Sequence, residues 1–110
     1  MNRLAMSSAA ANLLRALIAR GGVSRDRILL TEVSSVDWQS LTFMGERHHF
    51  ALRVSGPNSE EVVRRMCGGL EDAEFSIPGQ IVADVTVFGK PVREPDGSTS
   101  ITIEALTIGE

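Results

Sequence analysis

Residues 38–54, WQSLTFMGERHHFALRV, alternate apolar and polar side chains about a central Gly45-Glu46 pair. A period of two commits a segment to an extended chain with one buried and one wet face, so no other stretch limits the fold as tightly. Gly45 suits the first central position of a type II′ turn, which needs a positive φ. The segment is therefore expected to be a β-hairpin folded at Gly45-Glu46. Phe43 would then face His48, Leu41 would face Phe50 and Trp38 would face Arg53. Leu41, Phe43, His48, Phe50, Leu52 and Val54 would line the buried face; Ser40, Thr42, His49, Ala51, Arg53 and Trp38 would line the other. A slip of one residue would separate Leu41 from Phe50, so the pattern favours this register. Trp38 over Arg53 would make a cation–π pair.

A helix is expected on each side of this hairpin. Met6, Ala10, Leu13, Leu14, Leu17 and Ile18 recur at the helical period across residues 4–20, and Gly21-Gly22 ends the run. Ser7 or Ser8 offers a cap. Residues 58–67 carry Asn58 as a cap with Glu61 three residues on, acids in the first turn, Arg64 and Arg65 near the end, and Gly68-Gly69 as a stop. Residues 28–33, ILLTEV, read as a strand between the first helix and the hairpin. Phe75 to Ile77 reads as a short strand before a type II turn at Ile77-Pro78-Gly79-Gln80. Residues 81–108 read as a second hairpin, with Asp96-Gly97 as a type I′ turn and a bulge near Gly89-Lys90-Pro91. The two halves share an order of helix, Gly-Gly, link, strand and hairpin, but no residue identity beyond the Gly-Gly pairs accompanies it.

The expected fold is thus one α+β domain over residues 1–110. Its mainly antiparallel sheet of five to six strands would have two helices packed on one face, in the order α-β-β-β-α-β-β-β. A chain of 110 residues with 43% hydrophobic side chains supports one modest core. No apolar run reaches the ~18 residues of a membrane span. Aromatic residues make up 5% and the net charge is −3, which disfavours a stacking surface for nucleic acid. The charge is uneven. Residues 1–25 hold Arg3, Arg15, Arg20 and Arg25 and no acid, an amphipathic pattern shared with organellar targeting peptides, although a structural helix is the simpler reading.

Candidate site residues cluster in the hairpin. Glu46, His48 and His49 are the densest ionisable group, and Trp38 would wall a ligand site at residues 44–49. Adjacent strand residues point to opposite faces, so His48 and His49 would not chelate one ion. No metal or other cofactor is expected. Cys67, the sole cysteine, lies near a helix C-terminus, which disfavours a reactive thiolate. Asp84 within an apolar strand is read as its wet position, with Glu104 as a neighbour. The Gly-Gly pairs follow helices rather than open them and make no phosphate loop.

A non-enzymatic interaction or scaffold module acting as a cytoplasmic homodimer is the function expected. Its contacts would be an amphipathic first helix and a C-terminal strand at the sheet edge. The alternatives are a small-ligand protein or small enzyme using the 44–49 end, and anionic-surface binding by the Arg-bearing first helix.

Overall fold

A computed structural model describes residues 6–110. The first helix, α1, runs Ser8–Ala19. Ser7 caps it by accepting the Ala10 N–H at 3.1 Å. The expected start at residue 4 lies outside the described residues, and Met6 and Ser7 are not helical. Strand β1, Ile28–Gln39, and strand β2, Met44–Val54, form the first hairpin. The second helix, α2, spans Ser59–Cys67. Strands β3 (Gln80–Val87), β4 (Val92–Arg93) and β5 (Thr99–Gly109) complete the sheet. Among the described residues no helix is long and apolar enough to cross a membrane.

The result is an α+β fold with a five-stranded antiparallel sheet in the order β1-β2-β5-β3, and β4 pairs with β5 beyond the end of β3. The expected order holds in outline: in the first unit the two anticipated strands at 28–33 and 38–43 form part of one continuous β1 and its turn, and in the second the short β4 supplies the third strand that residues 75–77 do not. Both helices pack on one face. Leu13, Leu14 and Leu17 of α1 and Val62, Val63 and Met66 of α2 bury with Phe50, Leu52, Ile101 and Ile103.

The hairpin register differs from the expected one. Its turn is Ser40-Leu41-Thr42-Phe43, closed by the Ser40 N–H on the Phe43 carbonyl at 2.9 Å and by the Phe43 N–H on the Ser40 hydroxyl at 3.1 Å. Ile28, Leu30 and Val33 can then sit opposite Val54, Leu52 and Phe50. That burial outweighs hiding Leu41 and Phe43, both left exposed. Gly45 lies inside β2, where a Cβ would stand 1.9 Å from the Thr107 carbonyl oxygen. Close backbone approach, rather than a positive φ, is why glycine is needed there.

Each edge strand holds one bulge: Thr31 in β1, opposite Leu52 and Ala51, and Ala83 in β3, opposite Thr107 and Leu106. Rotation about the central His49–Glu104 pair superposes them, since Leu52 lies three residues past His49 and Thr107 three past Glu104. The β1-β2 and β3-β5 pairings thus match in register, with β1 standing for β3 and β2 for β5.

Four further expectations are corrected or extended. Asn58 adopts a left-handed backbone (φ 61°) and makes no side-chain cap bond, so the expected capping box is absent. Phe75 to Ile77 forms no strand; only Ile77 bridges to Gln80 across the Pro78-Gly79 turn. The irregularity near Gly89 is present, since Val87 pairs with Ile103 and Val92 with Ser100, but an unexpected bulge at Ala83 joins it and turns Ile81 to the open face while Val85 stays buried. The Asp96-Gly97 turn has three residues, closed by the Glu94 N–H on the Ser98 carbonyl, with Gly97 left-handed (φ 88°). It pairs Val92 with Ser100 rather than Ile101.

Candidate functional site

The four hairpin candidates divide between the two faces of the sheet. Glu46 and His48 face the helices; Trp38 and His49 face the open side.

On the helix side His48 is 2% exposed and stacks on Phe50, with ring centroids 5.9 Å apart. Its Nδ1 meets the Ser35 hydroxyl at 2.7 Å and its Nε2 meets the Thr107 hydroxyl at 2.8 Å. Hydroxyls donate or accept as needed, so a neutral imidazole is fully satisfied. Burial lowers the His48 pKa below 6.5, and the Glu46 carboxylate opposes that only in part. Glu46 accepts a hydrogen bond from Ser7 at 2.8 Å, which ties the start of α1 to β2. Without an exposed nitrogen, His48 is a structural group rather than an acid or base for substrate.

On the open face His49 lies between two acids. Its Nδ1 is 3.2 Å from Glu104 and its Nε2 is 3.8 Å from Glu32. With Ser34, Val36 and Arg47 these residues line a shallow depression of about 370 Å³. Each imidazole nitrogen addresses a different carboxylate, so the three do not converge on one point. Among the described residues no three His, Cys, Asp or Glu side chains are placed to hold one metal ion.

Trp38 sits opposite Gly45 rather than Arg53, whose partner is Leu29. The expected Trp38–Arg53 stack is therefore absent; the cation–π contact present is Arg20 over Phe75, 6.0 Å from the ring centroid. Trp38, Gly45, Ile108 and Ile81 form one row across the open face. Val36, Arg47, Leu106 and Asp84 form the next, and His49 and Glu104 belong to the third. The open face thus grades from apolar at the hairpin end to charged at its middle. Exposed Leu41 and Phe43 extend the apolar end to the tip, and exposed Met44 lies on the opposite side of β2. Sequence reading missed this surface because the wrong turn buried Leu41 and Phe43. The signal was the Ser40 hydroxyl, which closes a turn without glycine.

Two other expected groups are bound into the fold. Cys67 is half-buried and its thiol pKa is raised by burial, with the Arg20 charge only partly opposing. Arg20 donates to the carbonyls of Met66 and Gly68, and Arg15 donates to Asn12. Arg3 lies outside the described residues. The C-terminal strand β5 is central rather than an edge, since β2 lies on one side and β3 and β4 on the other. No protein-family model matches this sequence, and no curated protein matches it.

Proposed function

We propose that this protein is a non-enzymatic interaction module that works as a homodimer in the cytoplasm. The observation that carries the reading is the hairpin end of the sheet, where exposed Leu41, Phe43 and Ile81 lie with half-buried Trp38 and Ile108. A contiguous apolar surface of this kind marks an interaction site more often than an accident of composition. A lone thiol with no disulfide partner fits a reducing compartment. Light scattering of the full chain from micromolar to millimolar concentration tests the reading: the mass should rise toward twice that of the 11.9 kDa chain, and a monomer throughout overturns it.

The depression around His49 favours a second reading, a site for a small polar ligand flanked by Glu32, Glu104 and Arg47. Native mass spectrometry of protein from its own cells tests it. A retained small-molecule mass lost in His49→Ala would support this reading, and a bare chain would count against it.

A further inference from the structure

We infer that two copies join by strand addition, with Val33–Gln39 of β1 running antiparallel to the same residues of the second copy. This inference rests on the proposed self-association and assigns it a surface.

The two edges of the sheet are not equally protected. Natural edge strands are blunted by bulges, charges, proline, short length or a covering segment. The β3 side has several of these. Its strand is eight residues long, the Ala83 bulge leaves only Asp84–Val87 beyond it, Pro91 precedes β4, and the 3-10 turn at Leu70–Asp72 packs beside it. β1 is twelve residues long, with its bulge near the start at Thr31. Beyond that bulge lie eight residues, EVSSVDWQ, with two acids, Glu32 and Asp37, but no Lys, Arg or Pro. Their inner side pairs with β2, and among the described residues no strand pairs with their outer side.

Face-to-face packing is the competing arrangement. It would remove Arg47, Arg53, His49, Glu32, Glu104 and Asp84 from water together. Each buried ion costs several kcal/mol unless it is well paired. Strand addition leaves those groups wet and gives partners to main-chain groups on the outer side of β1 that pair with no strand among the described residues.

Charge selects the register. Directly opposed residues share a face, so the two-fold axis must pass through a residue that meets its own copy. Centring on Asp37 sets two carboxylates against each other. Centring on Ser35 sets Glu32 against Trp38 and Asp37 against Val33. Centring on Val36 sets Val36 on Val36, Trp38 beside Ser34 and Asp37 beside Ser35, with no acid facing an acid or an apolar side chain. Val36 is 59% exposed, so this register also covers an apolar side chain. It brings each hairpin tip, with exposed Leu41, alongside the Leu29 end of the other copy. The seam is about 23 Å long at ~3.3 Å per residue. It buries less than the ~1,600 Å² of a standard interface, so micromolar rather than nanomolar association is expected.

Cysteine cross-linking of the full chain in a Cys67→Ser background tests the seam. Opposed Cα atoms in an antiparallel pair are about 4.5–5.5 Å apart, within disulfide reach. Leu106 copies would lie about 24 Å apart, five strand spacings of ~4.8 Å. Oxidation should convert most of Val36→Cys to covalent dimer and leave Leu106→Cys monomeric on a denaturing gel. Cross-linking of Leu106→Cys, or none at Val36→Cys while light scattering reports a dimer, overturns the seam and leaves self-association standing. A monomer by light scattering overturns both. Val36→Lys, at an exposed position, keeps the fold, checked by circular dichroism. It should raise the dimer dissociation constant at least tenfold, whereas Leu106→Lys should leave it unchanged. A dimer as tight in Val36→Lys as in the parent overturns the inference.

Discussion

Gly45 and His48 show how closely single atoms control the first hairpin. The missing Cβ at Gly45 is what lets β2 lie against the Thr107 carbonyl, since a Cβ there would stand 1.9 Å away. Gly45→Ala must therefore shift one strand of a central pair. A loss of about 3 kcal/mol is expected in urea denaturation, at the strained end of the range for point changes. His48 gives a pH dependence with a definite sign. Its folded pKa lies below 6.5, so the unfolded chain binds the proton more readily. The stability gained by burying a neutral His48 is complete above pH 6.5 and is lost as pH falls through the lower folded value. Denaturation midpoints between pH 7.5 and about 5 should fall with acid, and His48→Gln should flatten that slope relative to the parent.

The elements follow from cap and turn chemistry. Ser7→Ala removes the α1 cap and a bond to Glu46, and should cost about 1 kcal/mol in the same denaturation assay. Leu41→Ser with Phe43→Ser alters only exposed side chains at the hairpin turn, so urea stability should move by no more than about 0.5 kcal/mol. A larger loss would mean that the tip is buried. Both helices and their apolar stripes were legible because Leu13, Leu14, Leu17, Val62, Val63 and Met66 repeat at the helical period and Gly-Gly pairs end the runs. The hairpin register was not legible. Gly45 satisfies a turn rule and a close-approach rule equally well, and Ser40 closes a turn that contains no glycine or proline.

At the scale of the whole molecule, linkage between folding and association supplies a further expectation. If the native chain dimerises and the unfolded chain does not, the thermal midpoint rises with protein concentration. Differential scanning calorimetry over a tenfold concentration range should show an upward shift of a few degrees in the parent, and none in Val36→Lys. The sequence alone determined the fold class, the two helices and the antiparallel sheet. Those depend on the period of apolar residues and on local end signals, which act within a few neighbouring residues. Only the tertiary structure decided that β5 is central and β1 an edge, that His48 is buried while His49 is wet, and that Leu41 and Phe43 lie outside. These outcomes turn on which long-range pairing buries the most apolar surface without a backbone clash. Residues such as Phe50 and Ile103 meet only when strands more than fifty positions apart are brought side by side.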